Sequence, residues 1–141
     1  STRIERSSGF IDCITESGLS FQSLEIRDGE INHAEILSFV QRNLKDTEAT
    51  LVYVPNCWAL PEVCDALQPL RDMIPQKLGI IGFDNTEWAS FSSPRITTIV
   101  QPAYEEGQKA AEILIDQIEE KYEEKSHQTL KCSVHWSEST L

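Results

Sequence analysis

Short apolar runs set between amphipathic stretches are what most constrains this chain. Residues 51–54 and the segment Leu78–Phe83, the latter broken only by Gly79 and Gly82, are otherwise apolar. Parallel strands buried on both faces read this way; strands with one wet face alternate instead. Around these runs the period becomes helical. Ile4, Ile11 and Ile14, with small Ser7 and Ser8 between, put one apolar face on a helix over residues 3–17, which Gly18 would end. Ile36, Leu37, Val40 and Leu44 do the same over residues 33–44. A helix within residues 58–73 must accommodate Pro61 and Pro69, which shorten or kink it. The longest expected helix, residues 103–123, carries Gly107, Ala110, Ala111, Leu114, Ile118 and Tyr122 on one stripe. Residues 21–26 alternate as a strand before a turn at Arg27-Asp28-Gly29, and strands are also expected over 96–100 and 129–136. A loop carrying Trp88, Phe91 and Pro94 joins the second apolar run to residue 96. Strands and helices in this alternation predict an α/β fold, a mostly parallel sheet flanked by helices.

The 141 residues suffice for one domain with a real core. No apolar stretch approaches the roughly 20 residues that cross a bilayer, so no membrane partner is expected. No signal peptide opens the chain, and the missing initiator Met suggests a processed or truncated product. With 12 basic against 23 acidic residues and a net charge of -11, the chain lacks the clustered cations that grip nucleic acid. Such acidity is the ordinary condition of a cytoplasmic protein, the expected location. Cys13, Cys57, Cys64 and Cys132 form no C-x-x-C pair and have no His at zinc spacing. They are expected to be buried reduced thiols, with no metal site. His33, His127 and His135 are scattered and read as structural or solvent-exposed.

Enzyme signatures are missing: there is no G-x-S-x-G elbow, P-loop or G-x-G-x-x-G. The carboxylate pairs Glu105-Glu106, Glu119-Glu120 and Glu123-Glu124 fall on a solvated helix face, where charge serves solubility. An enzyme is not expected, and no cofactor. What remains are polar residues at the carboxyl ends of expected strands, where open α/β sheets take their ligands. Asp84 follows the second apolar run and Asn56 lies just past the first. They could bond sugar hydroxyls, with Trp58 or Phe83 stacking on the sugar's apolar face. Equally, Asp84 could cap the turn after it and Asn56 the next helix.

The run Ile74-Pro75-Gln76-Lys77-Leu78-Gly79-Ile80-Ile81-Gly82-Phe83-Asp84-Asn85, followed by Ser93-Pro94-Arg95-Ile96-Thr97-Thr98-Ile99-Val100-Gln101-Pro102, strongly resembles the lactose-repressor/galactose-repressor family of bacterial transcription regulators. Arg6-Ser7-Ser8-Gly9-Phe10, Gly107, Ala110-Ala111 and Glu138-Ser139-Thr140 continue the resemblance in order and spacing along essentially the whole chain.

The resemblance implies part of an effector-binding domain of the type I periplasmic-binding-protein-like kind. Residues 1–95 and 126–141 would form its carboxyl-terminal lobe, and residues 96–125 a strand and helix belonging to the otherwise missing amino-terminal lobe. The DNA-binding headpiece of such regulators would be absent, leaving DNA as a partner only through that headpiece. Arg6 and Asp84 match the family's effector-binding Arg and Asp, and Thr2 a position that often supplies a hydroxyl. Asn56 and Trp58 are further candidates, because Pro55-Asn56-Cys57-Trp58-Ala59-Leu60-Pro61 departs from the usual Asn-Asp-x-x-Ala-x-Gly. Pro55 takes the place of an amide, and Ser137 that of an Arg before x-Ser-Thr. A homodimer is implied through Leu60, Val63, Leu67, Trp88 and Phe91. The expected function is carbohydrate-effector binding and dimerisation in a bacterial transcription regulator. The alternatives are a transport-associated sugar-binding protein of the same fold and a dimerisation module with a degenerate cleft.

Overall fold

The computed structural model describes residues 2–27, 29, 31–45, 48–119 and 128–141. In chain order these form α1 (Thr2–Glu16), α2 (His33–Asn43), β1 (Thr50–Val54), α3 (Ala59–Ala66), a 3₁₀ segment (Gln68–Met73), β2 (Leu78–Phe83), α4 (Thr86–Phe91), β3 (Thr97–Val100), α5 (Ala103–Ile118) and β4 (Ser133–His135). The sheet runs β1-β2-β3-β4, with β1, β2 and β3 parallel and β4 antiparallel at the edge. All three parallel strands therefore end on the same side, at Pro55, Asp84 and Gln101.

The two apolar runs are β1 and β2, and β2 is buried at every position but Ile81. Val54 and Ile80 join Ile36 and Val40 of α2 and Leu60, Val63 and Ala66 of α3 in one core. Gly82 sets the closeness of that packing: a Cβ built on it would lie 2.4 Å from Leu60 Cδ2. Tyr53, out of phase with Val52 and Val54, is stacked on Phe10 of α1, with ring centroids 4.3 Å apart.

Several expectations are corrected. Residues 21–26 form no strand, although Leu24 and Ile26 pack against the core. The alternation marked which side chains face inward, and it carried no information about a hydrogen-bonded neighbour. The helix expected within 58–73 is two pieces, with Pro69 opening the 3₁₀ segment. The loop after Asp84 contains the short helix α4. Residues 97–100, assigned with 96–125 to a missing lobe, pair with both β2 and β4, so this strand belongs to the present sheet. α5 ends at Ile118; Tyr122, the Glu123-Glu124 pair and His127 lie outside the described residues. Leu60 and Val63 of α3 and Leu67 just past its end, expected at a dimer interface, are buried in the chain's own core. Cys13 and Cys132 are exposed and Cys57 and Cys64 half-buried, against the expectation of buried thiols.

The carboxyl-terminal residues close the fold. The Ser137 main chain bonds twice to Thr97 Oγ1, its N–H donating at 2.8 Å and its carbonyl accepting at 3.2 Å, and the same hydroxyl lies 2.6 Å from Thr140 Oγ1. Ser137 is thus held through its main-chain atoms. Arg95 meets Glu138 through its main-chain N–H at 2.8 Å and its guanidinium at 2.8 and 3.1 Å.

Candidate functional site

The carboxyl ends of β1, β2 and β3 bring three chain turns together, and α1 lays an arginine across them. Arg6, in the second turn of α1, places its guanidinium 3.8 Å from the centroid of Phe83, the last residue of β2. Stacked there, the cation gains from the ring's negative face. Its Nη1 donates to the Pro55 carbonyl and its Nη2 to Gln101 Oε1, each at 3.4 Å. Pro55 thus contributes through its main chain.

Asp84 and Asn85 both adopt left-handed backbone, with φ of 54° and 55°. Asp and Asn are the non-glycine residues that best accept that region, which suits them to the sharp turn leaving β2. The Asp84 N–H donates to the Ile99 carbonyl at 2.8 Å, fixing the turn against β3. Its carboxylate accepts from the Gln101 main-chain N–H at 3.1 Å and from Gln101 Nε2. Asp84 therefore does not cap the turn after it; both oxygens face Gln101. Asn85 Nδ2 donates to the Cys57 carbonyl at 3.1 Å, tying this turn to the one after β1.

Arg6 and Asp84 are thus brought together, and Asn56 and Trp58 are not. Asn56 Oδ1 accepts from the Trp58 N–H at 3.0 Å and its carbonyl from the Ala59 N–H at 3.2 Å, so this residue closes the turn into α3. Trp58 is 82% exposed, and the ring pair stacked at this edge is Phe10 on Tyr53. Thr2 is the first residue of α1, one turn before Arg6. Of the dimer candidates outside the core, Trp88 is half-buried and packs on it, whereas Phe91 is 84% exposed.

Sequence reasoning missed Gln101 as a site residue. Its signal was positional: it follows β3 as Asp84 follows β2. It also missed the Phe10–Tyr53 stack beside Arg6. Burial pushes the Tyr53 phenol above its ordinary value, while the Arg6 charge pulls in the other direction. Chemically, the site offers guanidinium donors, a fixed carboxylate, an amide and aromatic faces, a set suited to a polyhydroxylated ligand. Among the described residues no group of three or more His, Cys, Asp or Glu side chains could hold a metal, and no helix is long and apolar enough to cross a membrane.

The periplasmic binding protein-like domain family matches residues 1–140. The chain is 34% identical over 96 residues to the HTH-type transcriptional regulator KdgR of Bacillus subtilis, covering 68% of this chain and 28% of that protein. It is 30% identical over 123 residues to the HTH-type transcriptional repressor PurR of Aliivibrio salmonicida, covering 86% and 37%. Among solved structures, a LacI family transcriptional regulator from Enterococcus faecalis with bound ribose superimposes with a TM-score of 0.67 at 26% identity, over 98% of this chain and 49% of that one. The chain thus spans about a third of the length of these two curated relatives.

Proposed function

This chain belongs to the periplasmic binding protein-like domain family, and from that membership we propose that it is the effector-binding part of a bacterial LacI-type transcription regulator, a sensor and not an enzyme. The observation that carries this reading is the meeting of Arg6 and Asp84 through Gln101 at the carboxyl edge of the parallel strands. The ligand is a carbohydrate. Arg6 donates to its hydroxyls and Asp84 accepts from them. The ribose bound to the Enterococcus faecalis relative supports the class of ligand.

The sheet with α1 to α4 forms one lobe of the effector domain, and α5 crosses to the other. Ligand held between lobes biases their relative orientation, and in the whole cytoplasmic protein that bias reaches DNA through a headpiece on another part of the chain. Two copies pair through the surface around Phe91, a large aromatic side chain of the kind that anchors interfaces. Light scattering at micromolar concentration tests the pairing, and a monomeric mass overturns it.

The binding reading is tested by calorimetry on the full-length protein with D-ribose, other pentoses, hexoses and their phosphates. Arg6→Ala and Asp84→Ala should each weaken the binding sugar by about ten- to hundredfold, the cost of removing one partner from a charged hydrogen bond. Unchanged affinity in both variants overturns the assignment.

A further inference from the structure

Arg6 and Asp84 carry opposite charges at one strand edge, yet they form no direct ion pair among the described residues. Gln101 stands between them. Its side-chain carbonyl accepts from Arg6 Nη2 at 3.4 Å, while its amide nitrogen donates to Asp84 Oδ2. The Gln101 main-chain N–H holds the other carboxylate oxygen at 3.1 Å. We propose that Gln101 is a positioning residue of the effector site, an uncharged spacer that keeps Arg6 and Asp84 from neutralising each other.

The physical need for a spacer is direct. A guanidinium and a carboxylate left facing each other in a half-buried site collapse into a forked pair, which consumes the donors and acceptors a ligand requires. An amide presents a donor and an acceptor on one planar, neutral group, so it can satisfy both charges without cancelling either. Gln101 uses two of the roughly four acceptor positions of the carboxylate, leaving about two for ligand hydroxyls. It uses one guanidinium N–H, and the Pro55 carbonyl takes another. Asparagine would be one methylene too short to span the same gap from the same backbone position. The spacer also sits where the sheet hands the chain to α5: the Gln101 carbonyl accepts from the N–H of Ala103, the first residue of that helix, at 2.9 Å. Any shift of α5 relative to the sheet therefore moves the group that aims both charges.

The inference rests on the reading of Arg6 and Asp84 as effector contacts, and its test has an arm that needs no ligand. In a crystal structure of ligand-free Gln101→Ala, Arg6 and Asp84 should close to within about 4 Å, the range of an ion pair. A separation unchanged from the wild type overturns the spacer. The second arm uses Gln101→Glu in the full-length protein, with D-ribose as the probe and calorimetry at about pH 8 and about pH 5. Two facing carboxylates share a proton as pH falls, and the protonated Glu then donates to Asp84 and accepts from Arg6 as the amide did. Gln101→Glu should bind about tenfold or more weakly than wild type at the higher pH and recover to within about threefold at the lower, with the wild type nearly level. Equal weakness at both values counts against the spacer. Wild-type protein that ignores every sugar counts against the effector reading, while the Arg6–Asp84 separation still decides the role of Gln101.

Discussion

The hydroxyl of Ser139 donates to the carbonyl of Ile80 at 2.6 Å, 59 residues earlier in the chain, and both residues are almost completely buried. The same hydroxyl oxygen accepts from the Thr97 N–H at 2.8 Å. One side chain therefore joins the carboxyl terminus to two neighbouring parallel strands. Ser139→Ala strips a buried donor of its acceptor, and it should lower unfolding stability by about 1–3 kcal/mol. Urea denaturation checks this, and a midpoint within error of the wild type would falsify the role of Ser139.

Thr98 makes the opposite prediction. It is fully buried in β3, and its Oγ1 has no hydrogen-bond partner among the described residues. Valine has the same shape without the unsatisfied hydroxyl. Thr98→Val should raise stability by about 1 kcal/mol, a change of a few degrees in melting temperature for a chain of this size. A lower melting temperature would mean that the hydroxyl has a partner in solution.

At Gly82 the neighbour is fixed. The added methyl of Gly82→Ala would fall 2.4 Å from Leu60 Cδ2, and Leu60 is enclosed on all sides. Overpacking of this kind costs about 1–3 kcal/mol. The double variant Gly82→Ala with Leu60→Val should recover part of that loss in the same denaturation experiment; if it is less stable than either single variant, the contact is not what limits position 82.

Among the thiols, position should dominate reactivity. Burial pushes the Cys64 thiol up to about 12, so almost none of it is thiolate at neutral pH. Cys13 and Cys132 are exposed. Iodoacetamide at neutral pH should label Cys13 and Cys132 first and Cys64 last, read by peptide mass mapping. Early labelling of Cys64 in the folded protein would contradict its placement.

Glu138 supplies a pH dependence. Its carboxyl is held below its ordinary value of 4.5, first by the Arg95 main-chain N–H and then by the Arg95 side chain. A carboxyl depressed in the folded state adds stability above its unfolded pKa and loses it as pH falls through the folded one. Glu138→Gln should therefore be less stable than wild type at neutral pH, with the gap closing in acid below about pH 4. A gap that is constant down to pH 2 or so would assign the loss to packing instead.

These residues also show what the sequence could and could not reveal. β1 and β2 were legible because double burial leaves a continuous apolar run, and Asp84 was legible because a carboxylate directly after such a run lies at a ligand-binding edge. Leu60, Val63 and Leu67 were legible as apolar but not as core, since periodicity gives a face and says nothing about what covers it. The strand over 97–100 was misassigned because lobe membership depends on pairing partners, β2 and β4, that lie far apart in the chain. Gln101 was invisible as a site residue, because a neutral amide at a strand end has many uses and its own stands out only when Arg6 and Asp84 appear on either side.

The apolar stripe of α5 supports the last prediction. No residue of this helix is buried, and Leu114, Ile115 and Ile118 are all exposed, Ile118 by 73%. Covering a large apolar side chain is worth about 1.5–3 kcal/mol, so three together form a strong drive to find a partner surface. A helix of 16 residues in which no residue is buried is only marginally stable in water. In the isolated 141-residue chain, α5 amides should therefore exchange much faster than those of β2 when the protein is dilute, and trypsin should cut first near Lys109. Raising the concentration should slow that exchange as copies cover one another's stripe, and Ile118→Ser should abolish the slowing while leaving β2 protection unchanged. Strong protection of α5 that persists at high dilution would show that the helix folds back onto its own sheet, and the assignment of this stripe to another lobe or another copy would fall.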